Sequence, residues 1–264
     1  MARAKRHFIP GNIWHITHRC HKGEFLLKFS KDRRRYLQWL YQARKRYGLT
    51  VLDYMITSNH IHLLVVDDGP RGVIAKSMQL VAGRTGQEYN RRKGRKGAYW
   101  EDRYHATAVE SGDHLARCVV YIDTNMVRAG AVSHPSRWGF CGYNEIQKPR
   151  RKNILIDYER LQGLIGAGSY AQLTSAHKGW VEDYMGDGMK TRQGEWTRSI
   201  AVGSRSFVEN VKALLGFRAR GREVLEGSKG YQLRVGTGHY KAFSEIENDD
   251  IGYTNAYFWE IKTE

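Results

Sequence analysis

Two histidines one residue apart, in Ser58-Asn59-His60-Ile61-His62-Leu63-Leu64, are the side chains of this sequence best suited to hold a divalent cation. Alternate side chains of a strand share a face, so His60 and His62 point one way while Ile61 and Leu63 point into the opposite layer. Imidazoles about 7 Å apart along one face can converge on a single ion. Two hydrogen-bonded histidines on a half-exposed strand show the same pattern, so the pair alone leaves both readings open. A second set of groups lies further along. On a helix opening at Asp113, Leu115, Val119, Ile122 and Met126 fall on one apolar side, and His114, Arg117, Tyr121, Asn125 and Arg128 form a polar stripe. Tyr121 and Asn125 are i and i+4 neighbours there. A phenol, an amide oxygen and cations on one stripe suit a metal-assisted attack on a phosphodiester. An amphipathic helix with a boundary tyrosine looks the same.

The elements that must position these groups can be read from periodicity and end signals. Residues 12–19 alternate as a strand, with Ile13, His15 and Thr17 on one side. Ser30 is a candidate N-cap for a helix over 30–47, and Gly48 a stop. Residues 49–56 and 60–66 are rich in β-branched and large apolar side chains, joined by the turn-like Thr57-Ser58-Asn59. A helix is predicted over 73–92, weakened by Gly83 and Gly86. An aromatic strand is predicted over 99–109 and a helix over 113–129. The order β-α-β-β-α-β-α predicts an α+β fold, an antiparallel sheet with helices packed on it.

The composition shifts at Gln147-Lys148-Pro149-Arg150-Arg151-Lys152, which reads as a linker. Two parts are expected: a domain over 1–147 and a smaller, mostly helical region over 148–264 with an acidic tail after Phe243. Within the second part, Ser206-x-x-Glu209 resembles a capping box and Gly216 a stop. The formal charge of +16 over 264 residues points to a polyanionic partner, most commonly nucleic acid. Cys20, Cys118 and Cys141 are too few and too scattered for a disulfide framework or a Cys-based zinc site. No apolar run reaches the ~18–20 residues of a membrane span, and no apolar signal core follows the basic N-terminus. No membrane partner and a cytoplasmic location are expected.

Two blocks carry a family resemblance. Ser58-Asn59-His60-Ile61-His62-Leu63-Leu64 and Tyr121-Ile122-Asp123-Thr124-Asn125-Met126-Val127-Arg128-Ala129-Gly130 resemble the hallmark blocks of single-tyrosine HUH transposases. The likeness is nearest to REP-associated tyrosine transposases, which act on repetitive extragenic palindromes. Tyr99-Trp100-Glu101-Asp102-Arg103-Tyr104-His105, lying between the blocks, resembles the family's aromatic strand. The resemblance covers roughly residues 5–145; beyond it only Val202-Gly203-Ser204-Arg205-Ser206-Phe207-Val208 looks familiar, like a C-terminal segment of longer members. Met126 departs from the pattern, since relatives usually carry Pro after the Asn.

This resemblance implies a ferredoxin-like HUH nuclease core. It implies His60, His62 and Asn125 as ligands of Mg²⁺ or Mn²⁺ and Tyr121 as the catalytic nucleophile. The implied reaction is metal-dependent cleavage of single-stranded DNA beside a hairpin, leaving a 5′-phosphotyrosine bond and a free 3′-OH. The implied setting is a bacterial, nucleoid-associated protein, with a monomer favoured over the swapped dimer of mobile relatives and a dimer left open. DNA contacts are expected from Lys5 and Arg6 in an N-terminal arm, and from Arg91, Arg92, Lys93, Arg95 and Lys96 in a basic tip. Trp100, Arg103 and Arg128 are further candidates, with Tyr99, Trp100 and Tyr104 as rings for unpaired bases. The region after 150, with Arg218, Arg220 and Arg222, is expected to extend the DNA surface along a stem, or to end in a solvated tail. A catalytically silent hairpin DNA- or RNA-binding protein is the alternative, and the joint presence of His60, His62, Tyr121 and Asn125 argues against it. A zinc hydrolase would need a further ligand and has no use for Tyr121.

Overall fold

The computed structural model describes residues 9–186 and 193–235. Strand β1 (Ile13–Arg19) alternates as predicted and leads to α1 (Ser30–Tyr47). Phe29, not Ser30, occupies the cap position of α1, and the helix ends where Gly48 turns left-handed at φ 71°. Next come β2 (Thr50–Ile56) and β3 (His60–Val66), a hairpin. Thr57 pins its turn, accepting from the His60 backbone N–H and donating to the His60 carbonyl at 2.8 Å.

Helix α2 (Val73–Lys93) follows in spite of its glycines. A Cβ on Gly86 would lie 3.0 Å from Tyr99 Cβ, so the missing side chain lets the two segments approach. Strand β4 (His105–Val109) is shorter than the predicted 99–109. Residues 99–104 make a single bridge, Trp100 to Cys20 just past β1, and Tyr99 is buried in the core.

The helix predicted over 113–129 is two helices, α3 (Asp113–Asp123) and α4 (Asn125–Arg128). Thr124 separates them at φ −83°, ψ 4°, its hydroxyl bonded back to the Val120 carbonyl. After α5 (Gly142–Gln147) come α6 (Tyr158–Ile165), α7 (Tyr170–Gly186) and α8 (Glu195–Arg198). The rest is β5 (Ala201–Gly203), α9 (Arg205–Leu215), β6 (Arg222–Gly227) and β7 (Gly230–Val235). Helix α9 is capped by Ser204, whose Oγ accepts from Phe207 N, and not by the predicted Ser206. The acidic tail after Phe243 lies outside the described residues, as does the arm carrying Lys5 and Arg6.

The strands form one sheet in the order β2-β3-β1-β4-β5-β7-β6. Its first four follow the ferredoxin-like β-α-β-β-α-β plan with β1 in the middle, antiparallel to β3 and β4. Helices predominate after residue 148, as expected, yet the three strands there continue the same sheet, with β5 parallel to β4. The core crosses the 147/148 boundary too. Leu161, Leu173, Val181, Trp196 and Leu233 are buried in one cluster with Leu40, Ile61 and Val119.

That continuity changes the setting of α3. Helical periodicity gives α3 one apolar side and one polar stripe, but α6 and α7 also pack against the helix, and Ala116, Val120 and Asp123, on neither, are buried too, while His114, Arg117, Asn125 and Arg128 of the stripe stay half-buried. Asp123 is wholly buried. It accepts from the Tyr143 backbone N–H and lies 2.8 Å from His177 Nε2 on α7. Among the described residues no helix is long and apolar enough to cross a membrane.

Candidate active site

The two faces of β1 have different partners. Trp14, Ile16 and His18 face α1 and α2, where His18 stacks on Trp100 and the Trp100 indole donates to the Ala82 carbonyl. His15 and Thr17 lie on the other face. The register sets Thr17 opposite both His62 of β3 and His105 of β4, and His15 opposite Thr107. The histidine strand therefore delivers His60 and His62 to the face that α3 covers.

The ring centres of His60 and His62 are 5.0 Å apart and nearly perpendicular. His60 Nδ1 lies 2.7 Å from Asn59 Oδ1, an oxygen that only accepts, so the ring proton sits on Nδ1 and the lone pair on Nε2. His62 reaches the same state by a longer route. Asn125 donates through Nδ2 to His62 Nε2 at 3.0 Å, His62 Nδ1 donates to His15 Nε2 at 2.9 Å, and His15 Nδ1 donates to the Trp196 carbonyl at 2.9 Å. The direction is fixed at the Trp196 end, because a carbonyl cannot donate, and His15 Nε2 is then left to accept from His62. His15 thus holds one proton, on Nδ1, and is neutral. Burial pushes His15 down to about 3, the Trp196 carbonyl opposing only in part, which agrees with that neutrality. The His15 and His62 rings lie within 7° of parallel.

Tyr121 comes from α3. Its ring centre is 5.8 Å from His62, 6.1 Å from His15 and 6.2 Å from Trp196, and the residue is 3% exposed. The Arg128 guanidinium sits 4.1 Å over the ring. Its place is held by bonds to Thr124 Oγ1 and to the Tyr121 carbonyl, so the break at Thr124 helps aim the cation. His60, Asn125 and Arg128 are half-buried and form the accessible side of the cluster.

A divalent ion fits this donor set. His60 and His62 offer Nε2 lone pairs, and a half-turn of the Asn125 amide exchanges Nδ2 for the oxygen at the same place. Among the described residues no three His, Cys, Asp or Glu side chains gather at one point, so a third protein ligand here would be the uncharged Asn125.

The other predicted residues are scattered. Arg91, Lys93 and Lys96 are exposed at the end of α2 and in the loop after it, and Arg103 is exposed beyond. Arg92 is paired with Asp32 and lies over Tyr89. Arg95 donates to the Ala98 carbonyl and pairs with Glu24. Two rings expected to stack on bases are already engaged. Tyr99 is in the core with its hydroxyl on the Leu26 carbonyl, and Trp100 is stacked on His18 with its indole on the Ala82 carbonyl. Sequence reasoning missed His15, and it missed the carbonyls of Trp196 and Ser199, the latter bonded to His105 Nε2 at 3.0 Å. His15 was detectable as a polar residue on the β1 face shared with Thr17; the carbonyls leave no trace in residue identity.

The model of the family described as "Transposase IS200 like" matches residues 12–125. That segment is similar to IS200-like transposases. It runs from the start of β1 to Asn125 and so holds His15, His60, His62, Tyr121 and Asn125, while Trp196 lies beyond the transposase match. No curated protein matches the chain. Among solved structures, the chain is similar to a REP-associated tyrosine transposase bound to a REP hairpin, at 16% identity and a TM-score of 0.47, over 60% of this chain and 95% of that one. It is also similar to a putative transposase from Deinococcus radiodurans R1, at 14% identity and a TM-score of 0.33, over 44% of this chain and 92% of that one. Likenesses this distant carry no part of the argument.

Proposed function

We propose that this protein is a metal-dependent endonuclease and strand transferase acting on single-stranded DNA beside a hairpin, with Tyr121 as its nucleophile. The observation that carries the reading is the gathering of His60, His62, Asn125 and Tyr121 on one sheet face, with the Tyr121 ring 5.8 Å from His62. Mg²⁺ or Mn²⁺ held by His60, His62 and Asn125 would polarise the scissile phosphate and offset charge on the 3′ oxygen.

The chain's own groups do the rest. Tyr121 loses its phenolic proton to solvent and its oxygen bonds to phosphorus; the bond to the 3′ oxygen breaks, and that oxygen takes up a proton. The product is a 5′-phosphotyrosine and a free 3′-OH, and the 3′-OH of another strand can reverse the step. A free phenol titrates near 10, so charge developing on its oxygen needs support. Arg128, 4.1 Å over the ring, supplies a fixed positive charge there. Because Tyr121 lies beside His62 of its own chain, a monomer contains one complete site. The strand enters from the side of His60 and Asn125, and the exposed cations Arg91, Lys93, Lys96 and Arg103 supply affinity for its phosphates.

The test is incubation of the protein with end-labelled hairpin oligonucleotides and Mn²⁺ or Mg²⁺. Cleavage to a strand with a free 3′-OH and a protein-blocked 5′ end, abolished by a chelator and by His62→Ala, is expected. Cleavage that survives both removes the reading.

A further inference from the structure

The donor chain through His62 does not end at a side chain. It ends at the Trp196 carbonyl, on a stretch between α8 and the parallel strand β5, far from the histidine strand in sequence. We propose that His15 is a positioning residue through which this C-terminal segment fixes His62 in the one tautomer, Nδ1 protonated and Nε2 bare, that can hold a metal ion. Its bearing on catalysis rests on the function proposed above; the tautomer itself does not.

Three observations carry it. His62 Nδ1 has His15 Nε2 at 2.9 Å, so His62 can donate there only while His15 Nε2 is unprotonated. His15 Nε2 is unprotonated because its single proton is held on Nδ1 by the Trp196 carbonyl at 2.9 Å. Trp196 is itself wholly buried, and the segment is pinned a second time where Thr107 Oγ1 donates to the Ser199 carbonyl at 2.6 Å. The carbonyl therefore cannot turn away without unpacking the indole. A neutral imidazole in isolation divides its proton between the two nitrogens, and each molecule with the proton on Nε2 is lost to metal binding. Outer partners that settle this choice commonly change metal affinity by about 10–100-fold when removed.

The relay makes the C-terminal region part of the site without contributing a side-chain ligand. It also separates His62 from His60, whose tautomer is set locally by Asn59 within its own turn. Loss of His15 should disturb one histidine and spare the other.

The experiment uses the full chain with ¹⁵N-labelled histidine, followed by long-range ¹H–¹⁵N correlation of the ring nitrogens without metal. In the parent protein both His60 and His62 should show a protonated Nδ1 and a bare Nε2. In His15→Phe, His62 should shift to a mixture or to the Nε2-protonated form while His60 stays as it was. Mn²⁺ affinity, read by electron paramagnetic resonance, should fall by about 10-fold or more. His15→Gln can place an amide oxygen where Nε2 was and should restore both readings in part. Should His15→Phe fail to fold, His15→Asn keeps a donor near the Trp196 carbonyl but is too short to reach His62, and it should reproduce the tautomer change. An unaltered His62 tautomer in a folded His15→Phe or His15→Asn protein overturns the proposal. A parent protein that shows the tautomer but binds no Mn²⁺ supports the relay and removes the metal reading of the site instead.

Discussion

Residues up to 147 and residues from 148 onward contribute different kinds of group to the same sheet face. The first part supplies side chains: His15, His60 and His62 from strands, Tyr121 and Asn125 from the broken helix. The second supplies main-chain carbonyls, that of Trp196 to His15 and that of Ser199 to His105, and one buried histidine, His177, to Asp123 at the end of α3. A reactive group is recognised by what it is, but a carbonyl can be recognised only by where it is. The family match runs over the first part alone, although the hydrogen-bonded chain from His62 ends in the second.

Cutting the chain after residue 147 breaks that link most severely. It removes the strand paired with β4 and uncovers α3, whose Val120 and Asp123 are buried against the lost helices. No cooperative thermal transition is expected for the fragment by circular dichroism. A fragment that melts cooperatively and cleaves hairpins would show the second part to be an accessory after all.

Removing one bond between the parts should have a smaller effect. His177→Ala leaves an oxygen of the buried Asp123 carboxyl without its hydrogen-bond partner, and a buried polar group left unsatisfied costs about 1–3 kcal/mol. Denaturant unfolding measures this directly; a drop in stability under about 1 kcal/mol contradicts the idea that α7 anchors α3.

The opposite face of β1 offers a control through pH. Burial pushes His18 down to about 4, the Asp102 carbonyl opposing in part, so the folded protein resists a proton that the unfolded chain accepts near 6.5. The unfolded state then binds more protons as pH falls from 6.5 to 4, and stability drops over that window by about 3 kcal/mol from this residue. His18→Phe should flatten the decline without altering the tautomer of His62. If it leaves the pH profile of unfolding unchanged, His18 is not buried neutral.

The smallest effect belongs to the basic tip. Replacing Arg91 and Lys96 by Gln should leave stability within about 0.5 kcal/mol, because both are exposed. The slope of log affinity for single-stranded DNA against log salt should fall by about 0.7 for each phosphate that is no longer neutralised. An unchanged slope would take these cations off the DNA path.

Much of the frame is legible in the sequence. Alternation in 12–19 and 60–66, the Gly48 stop and the β-branched hairpin place β1, α1 and β3 within a residue of their ends, since those signals act within a few residues. The histidine and tyrosine positions are equally plain. Thr124 does not announce a break, because its effect depends on a local hydroxyl bond that competes with the helix. The burial of Ala116, Val120 and Asp123 on a third side of α3 is not legible either, because helix periodicity reports polarity and is blind to distant helices packing against it. β5 is three residues long, too short for alternation to register, and its pairing with β4 joins segments far apart in sequence. Trp100 reads as a base-stacking ring, although its stacking partner, His18, lies within the protein itself.

The nucleophile decides the account, and it can be identified directly. The protein is incubated with a hairpin-bearing single strand and Mn²⁺, the covalent adduct is digested with protease and nuclease, and mass spectrometry locates the residue that retains the 5′ phosphate. The account predicts one modified peptide, carrying the nucleotide on Tyr121, and no adduct from Tyr121→Phe. A phosphate on any other residue, or an undiminished adduct from Tyr121→Phe, contradicts it.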